Sequence, residues 1–110
     1  MLTQSKYFKL KIVLPKEFVE KIKEVLGENG AGKIGNYDYC TYVYPVSGSF
    51  RPLAGANPAI GKIGKIEHVD EMVVEVICHE DDLLRVVEAV RMDHPYEEPM
   101  IDIIPRLELK

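Results

Sequence analysis

Large apolar residues stand at every second position between residues 7 and 14, at Phe8, Leu10, Ile12 and Leu14. This period of two predicts a strand that buries one face. From residue 16 to residue 26 the apolar residues are instead three or four positions apart, which is the spacing of an amphipathic helix. Pro15 suits the first turn of that helix, and Gly27 and Gly30 suit its carboxyl end. The chain is therefore predicted to begin with a strand and a helix.

The middle of the chain predicts two further strands joined by a long loop. Residues 37–44 are rich in tyrosine, threonine and valine, which favour strands. Residues 45–64 contain three prolines and four glycines and predict a loop, which at this length is expected to be functional or mobile. Residues 65–78 predict the third strand, with a bend near Asp70.

The last part of the chain predicts a second helix and a fourth strand. Acidic residues 80–82 favour a helix start because the helix dipole stabilises negative charge there. The helix is expected to end near Asp93, since Pro95 and the residue before it resist helical geometry. Residues 100–109 alternate as a final strand, and Pro105 within them indicates a sheet edge or a bulge.

The predicted order of elements is β-α-β followed by β-α-β, within one domain that spans residues 1–110. This order is typical of an α+β, ferredoxin-like βαββαβ fold, in which a four-stranded antiparallel sheet carries both helices on one face. The opposite face would be half apolar, and we expect another copy of the chain to cover it. Its apolar residues are Tyr7, Val13, Val73, Ile77, Met100 and Ile104.

Composition and charge exclude several classes of protein. A net charge of −4 argues against a general nucleic-acid binder, which needs a basic surface to contact phosphates. No apolar run approaches the roughly 20 residues that span a bilayer, and no secretory signal is recognisable, so a cytoplasmic protein without membrane contact is expected. Cys40 and Cys78 are too few for a disulfide scaffold. Buried free thiols are expected, while a bridge between them stays open.

The glycine-rich segment 27–33 formally fits the phosphate-binding loop of nucleotide hydrolases. That loop needs a serine or threonine after its lysine, but Ile34 follows Lys33 here. It also needs a strand before it and a helix after it, and the predicted order is the reverse. A nucleotide-hydrolysing loop is therefore rejected. A tight turn that needs positive φ is the better explanation, although the backbone N–H groups of such a turn also suit an anion.

His94, Glu97 and Glu98 form the densest group of polar side chains. An imidazole and two carboxylates within five residues suit a metal ion or acid–base chemistry. A zinc site needs three or four protein ligands, so the others would come from His68, His79, a cysteine or a neighbouring subunit. The alternative is that His94 and Glu97 form hydrogen bonds that hold the corner between helix and strand. No Ser-His-Asp or Cys-His pairing is visible, so no catalytic residue is assigned.

Four ordered motifs resemble one known family. The similarity to the YqfO module, the PII-like insert of bacterial dinuclear-metal-centre proteins, lies in residues 30–40, 55–61, 64–69 and 94–99 and in Asp102. The start of the last motif also resembles that of the CutA divalent-cation-tolerance proteins, which share the fold and are trimers. The resemblance implies a PII-like or CutA-like fold, a homotrimer, and a binding or regulatory role. Residues 45–64 would correspond to the signalling loop of PII-type proteins and would suit a protein partner.

The resemblance also implies where a ligand would bind. Ligands of such trimers often lie in clefts between subunits, and the matching residues here are Gly32, Gly35, Asn36, Tyr37, Cys40, Asn57, His94, Tyr96, Glu97 and Glu98. A divalent metal ion would fall to His94, Glu97 and Glu98. The larger proteins carry their two-metal site on flanking domains whose histidine-rich motifs do not occur in this chain. Their hydrolase or cyclohydrolase activity is therefore not implied.

Three functions stay open on the sequence alone. The favoured one is a non-enzymatic, oligomeric binding or regulatory module that takes a divalent metal or a small anion at subunit junctions. The second is a metal-dependent hydrolase built on His94, Glu97 and Glu98. The third is an accessory subunit that docks on another protein through the glycine-rich loop.

Overall fold

The structure, a computed structural model that describes all 110 residues, contains six strands and two α-helices. A short turn of 3-10 helix precedes each α-helix. The strands are β1 (Leu2–Gln4), β2 (Tyr7–Leu14), β3 (Tyr42–Phe50), β4 (Glu67–His79), β5 (Ile101–Ile104) and β6 (Leu107–Leu109). The helices are α1 (Val19–Glu28) and α2 (Leu83–Asp93), and neither has the length and apolar character needed to cross a membrane.

Four strands form an antiparallel sheet in the order β3-β4-β2-β5, and β1 pairs with β6 in a separate two-stranded ribbon. Both helices pack on one face of the four-stranded sheet, where their apolar residues join those of β2 and β4 in one core. The prediction of an α+β, ferredoxin-like fold with both helices on one face is confirmed.

The core consists of side chains that follow the two predicted periods. Leu10 and Ile12 in β2 are fully buried, as are Ile22 and Leu26 in α1 and Val86 in α2. Residues two apart in a strand, and three to four apart in a helix, share one face, so this spacing brings the side chains into one layer. Truncating such a leucine or isoleucine to alanine costs about 2–5 kcal/mol in typical cores.

Several predicted boundaries agree with the structure. β2 has the predicted bounds of residues 7 and 14. The first helical segment begins directly after Pro15, as a 3-10 turn that leads into α1. The acidic residues Glu80–Asp82 form the 3-10 turn before α2, and α2 ends at Asp93, two residues before Pro95. Local chain stiffness at the prolines accounts for both helix limits.

The second strand was predicted with the wrong bounds. The prediction is residues 37–44, whereas β3 covers Tyr42–Phe50. Ile34 and Tyr37 close a two-residue turn with backbone hydrogen bonds of 2.9 and 3.0 Å, so the chain is still turning where the strand was expected. The tyrosine-rich composition therefore indicated the right element but not its start.

The long loop also differs from its prediction, residues 45–64. Pro45 does not end the strand but pairs with Met72 of β4 inside β3. β3 is an edge strand, and such a strand tolerates proline because half of its N–H groups face no neighbouring strand. The connection between β3 and β4 is therefore limited to residues 51–66, and we call it the 51–66 loop.

The final strand is divided in two. The sequence predicted one strand over residues 100–109, but β5 ends at Ile104 and β6 begins at Leu107, with Pro105 between them. After the proline the chain leaves the four-stranded sheet and pairs with β1, a strand that the sequence analysis did not predict. β4, in contrast, continues through Asp70 without a break.

The face of the sheet opposite the helices, here called the open face, mixes apolar and charged side chains. Val73 lies at its centre, paired with Val13 and Tyr44, and is 1% exposed. Beside it, Lys9 and Glu75 form an ion pair of 3.0 Å. Strand alternation places four exposed apolar residues on the same face: Tyr42, Tyr44, Met100 and Ile104. The open face is therefore half apolar, as the sequence predicted.

Candidate binding site

The segment between α2 and β5, residues 94–99, forms a corner that the buried side chain of His94 holds in place. Its Nε2 lies 2.7 Å from the backbone oxygen of Val13, and its Nδ1 accepts a hydrogen bond of 3.1 Å from the N–H of Tyr96. A backbone N–H only donates, so Nδ1 is unprotonated and Nε2 donates its proton to Val13. Burial lowers the pKa of His94 below its ordinary value, which favours this neutral form.

Tyr96 connects the corner to β4 through Glu71. The tyrosine hydroxyl donates a hydrogen bond of 2.8 Å to Oε2 of Glu71, and Glu71 is only 9% exposed. Burial, together with the hydrogen bond to Glu71 and the charge of that carboxylate, raises the pKa of Tyr96, so the hydroxyl keeps its proton. The second oxygen, Oε1, lies against Gly48 of β3, where a Cβ would overlap it. The absence of a side chain at position 48 therefore makes room for a buried carboxylate.

Glu97 connects the same corner to the 51–66 loop. Its Oε1 accepts a hydrogen bond of 3.1 Å from the backbone N–H of Asn57. The corner is thus bonded to β2 through His94, to β4 through Tyr96, and to the loop through Glu97. These three contacts fix the position of the corner against the open face.

A cavity of about 440 Å³ lies between the corner and the 51–66 loop, and we call it the corner cavity. Its volume falls within the range of small-molecule binding sites. Eight of its 15 lining residues are hydrophobic, so it suits a ligand with an apolar body. The largest apolar side chains are Phe50, Leu53, Ile60 and Met100, and the charged ones are Arg51, Glu71, Glu97 and Glu98.

Three of the predicted ligand residues, Tyr96, Glu97 and Glu98, line the corner cavity, and Asn57 is bonded to Glu97 at its edge. Glu71 also borders a smaller cavity of about 300 Å³, which we call the Lys16 cavity. None of the predicted ligand residues lines the Lys16 cavity. The corner cavity is therefore the stronger candidate for a binding site.

The other predicted ligand residues lie in the turns that follow α1. The Gly32 N–H donates a hydrogen bond of 2.8 Å to the backbone oxygen of Ile77, near the carboxyl end of β4, whereas Glu71 lies near its amino end. One protomer therefore does not bring the two groups of predicted residues together. The group at the Ile77 end consists of Gly32, Gly35, Asn36, Tyr37 and Cys40.

Backbone geometry accounts for the glycines in these turns. Gly32 has a φ of 82°, and a Cβ there would come within 2.9 Å of the backbone of Cys40. Gly35, with a φ of 57°, occupies the two-residue turn that Ile34 and Tyr37 close. Both positions need the left-handed region that glycine adopts without strain. The tight-turn explanation of the glycine-rich segment therefore fits the structure.

The two cysteines are free and differ in burial. Cys78 is buried in the core, and burial raises the pKa of its thiol to about 11. Cys40 is only half-buried, which corrects the expectation that both thiols are buried. Its sulfur lies 3.7 Å from the backbone oxygen of Asp38.

The predicted metal residues His94, Glu97 and Glu98 do not converge within the protomer. Backbone groups occupy both ring nitrogens of His94, and no group of three or more His, Cys, Asp or Glu side chains is placed to hold a metal ion. His79, considered as a further ligand, instead accepts a hydrogen bond of 3.1 Å from the N–H of Asp81 at the start of α2. The bonds of His94 and Glu97 match the alternative in which they hold the corner. A metal at this position stays a prediction that needs ligands from another protomer.

Sequence analysis missed Glu71, the most buried carboxylate of the cavity. Two signals were present in β4 and β3. Glu71 stands between Val69 and Val73, which share its face of the strand, so a charge interrupts an apolar row. Gly48 stands inside a strand, which often marks a close approach by another group.

Comparison with known proteins identifies relatives of the chain in sequence and in structure. No family model matches the chain. A protein of Halalkalibacterium halodurans named GTP cyclohydrolase 1 type 2 homolog is 43% identical over 103 residues, which is 94% of this chain but 28% of that protein. The crystal structure of a Bacillus cereus protein related to NIF3 superposes with a TM-score of 0.80 and 31% identity, over 96% of this chain and 26% of that one.

A second set of solved structures matches over most of the length of both chains. The periplasmic divalent cation tolerance protein CutA of Archaeoglobus fulgidus has a TM-score of 0.67 and 24% identity, over 91% of this chain and 83% of that one. At this identity the likeness shows the fold. The chain thus spans just over a quarter of the first group of relatives and about four-fifths of the CutA chain. The resemblance stated from its motifs is confirmed: the chain matches one segment of the YqfO/NIF3-type proteins and has the fold of the CutA proteins.

Proposed function

We propose that the chain is a non-enzymatic binding module that acts as a homo-oligomer, and that its ligand occupies the corner cavity. The observation that carries this proposal is the set of bonds around the cavity. His94, Tyr96 and Glu97 each use their polar groups to hold the corner, and neither ring nitrogen of His94 is free to exchange a proton with a substrate. A preformed cavity with an apolar wall and a few fixed polar groups is the usual form of a binding site.

The open face supports self-association. Tyr42 and Met100 are 76% and 57% exposed on it, and Ile104 is 39% exposed. β3 and β5 are the two edges of the sheet, so each has backbone groups without a partner strand. Burying the apolar side chains against another copy removes them from water, at about 25 cal/mol per Å² of apolar area. By resemblance to the CutA proteins, we propose a homotrimer.

The names of the relatives suggest two alternative functions, an enzymatic activity and the binding of a divalent cation. The relatives called GTP cyclohydrolase homologs are about three and a half times as long as the matching segment, so an activity of the whole protein does not pass to this chain by likeness. The CutA proteins are named for divalent cation tolerance. A divalent cation here would have to be held by Glu97 and Glu98 together with groups of another protomer, because His94 has no free nitrogen.

A pair of variants tests the association. Ile104→Lys places a charge on the open face, and Leu84→Lys makes the same change at a 71% exposed leucine of α2. Sedimentation velocity at micromolar concentration is expected to show a trimer for the wild type and for Leu84→Lys, and smaller species for Ile104→Lys. If Ile104→Lys sediments like the wild type, the open face is not the association surface.

A further inference from the structure

Within one protomer, the carboxylates of the corner cavity have no basic partner. No lysine, arginine or histidine nitrogen lies within 4.0 Å of Glu71, Glu97 or Glu98, although such contacts occur elsewhere in the molecule. Arg51 lines the same cavity but forms no ion pair with them. Three carboxylates against one guanidinium leave a formal excess of negative charge around the cavity.

Glu71 is the unusual member of this set. It is more than nine-tenths buried, yet its hydrogen-bond partner is the single hydroxyl of Tyr96 on Oε2. Every fully buried side-chain oxygen in the molecule has a partner, so Oε1, which has none, keeps some contact with solvent. Buried charges in proteins are normally paired with an opposite charge, because an unpaired one loses its hydration without compensation.

Two neighbouring residues fix the direction of the Glu71 carboxylate. The Tyr96 hydroxyl holds Oε2, and the open Cα of Gly48 receives Oε1. A carboxylate held in this way binds a cation without first losing side-chain freedom, which favours affinity. The apolar side chains of Leu53 and Ile60, which belong to the 51–66 loop, line the same cavity as this carboxylate.

We propose that the corner cavity selects an amphipathic cation, an ammonium or guanidinium group on an aliphatic or aromatic body. The charged group binds Glu71, with Glu97 and Glu98 contributing negative potential, and the body packs against the 51–66 loop. This inference rests on the proposed function of the cavity as a binding site, and it names the ligand's chemical class. It departs from the small anion considered on the sequence, because the lining charges repel an anion.

Three probes with similar aliphatic chains and different polar groups test how the charge of the ligand affects binding. Hexylamine, 1-hexanol and hexanoate are titrated into the full chain at pH 7.5, and backbone amide shifts of Tyr96 and Ile60 report binding in the corner cavity. The amides of Lys16 and Ser47 report the Lys16 cavity, which Glu71 also borders. We expect hexylamine to bind the corner cavity with a millimolar dissociation constant, about tenfold tighter than hexanol, because only the ammonium group brings a positive charge to the carboxylate.

Matched variants show which carboxylate makes the cavity prefer hexylamine to hexanol. Glu71→Gln keeps the shape and still accepts from Tyr96, and it is expected to weaken hexylamine binding about tenfold and leave hexanol binding unchanged. Glu88→Gln, the same change at an exposed position of α2, is expected to change neither. If Glu71→Gln does not fold, Glu98→Gln at the exposed rim is expected to weaken hexylamine two- to threefold and hexanol not at all.

Other results overturn the inference in distinguishable ways. Equal binding of amine and alcohol would mean an apolar cavity without charge selection, and tighter binding of hexanoate would assign the site to Arg51. Shifts confined to Lys16 and Ser47 would move the cation to the Lys16 cavity. If no probe shifts the corner cavity while the chain sediments as a trimer, the ligand class is wrong and self-association stands. If the chain is also a monomer, the proposed function itself fails.

Discussion

Removing the Tyr96 hydroxyl is the sharpest test of how the corner is held. Tyr96→Phe deletes one oxygen and leaves the ring, whose centroid lies 5.0 Å from that of His94. Glu71 then keeps its buried position without its only hydrogen-bond donor. The expected effect is therefore the cost of leaving a buried acceptor unsatisfied and not merely the loss of one bond.

That cost is about 1–3 kcal/mol for a buried acceptor. Because Glu71 is 9% exposed and Tyr96 is only partly buried, we expect a loss of about 1.5 kcal/mol in the free energy of unfolding. Tyr44→Phe is the matched control, since Tyr44 also donates to a glutamate, Glu75. Tyr44 is exposed and Glu75 keeps its ion pair with Lys9 at 3.0 Å, so little change is expected there.

Urea denaturation followed by circular dichroism, at one protomer concentration for all proteins, measures both effects. With a typical dependence of 1–3 kcal/mol per molar urea, Tyr96→Phe is expected to lower the midpoint by about 1 M. The reasoning is refuted if Tyr96→Phe unfolds at the wild-type midpoint. It is also refuted if Tyr44→Phe loses as much stability as Tyr96→Phe.

Three further predictions concern single residues. The folded-state pKa of His94 lies below its ordinary value of 6.5, so the unfolded chain binds more protons than the folded chain just below pH 6.5. The free energy of unfolding is therefore expected to fall as the pH falls through that window. His94→Gln should remove this pH dependence, which urea titrations between pH 7.5 and 5 measure. Gly48→Ala should cost about 1 kcal/mol, because the new Cβ displaces the end of the Glu71 side chain from the Tyr96 hydroxyl, and an unchanged midpoint would contradict the contact. Alanine favours a helix over glycine by about 1 kcal/mol, but the Tyr39 ring occupies the place that the Cβ of Gly27→Ala would take. Gly27→Ala should therefore raise the free energy of unfolding by that amount in a Tyr39→Ala protein and not in the wild type. Equal effects in the two proteins would contradict the contact.

Local patterns in the sequence were enough for the elements whose limits are set locally. The alternation in residues 7–14 gave the bounds of β2, and Pro15 and Pro95 marked the helix limits. The polar cluster at residues 94–99 was also visible, because its side chains are adjacent in the chain. Short-range stereochemistry determines these features, so they can be predicted without knowledge of the fold.

The limits of β3 and the contacts of the cavity depend on residues far apart in the chain. Pro45 remains in a strand because β4 pairs with it and the other edge is free. His94 and Val13 are 81 positions apart, and Tyr96 and Glu71 are 25 apart. No periodicity within a short window reports such contacts, which is why Glu71 was missed.

The molar mass of the wild-type chain in solution tests the central claim most directly. Size-exclusion chromatography with light scattering at micromolar concentration is expected to give three times the protomer mass of 12.5 kDa, because we propose that other copies cover the half-apolar open face. A uniform species of the protomer mass that persists as concentration rises would contradict the account.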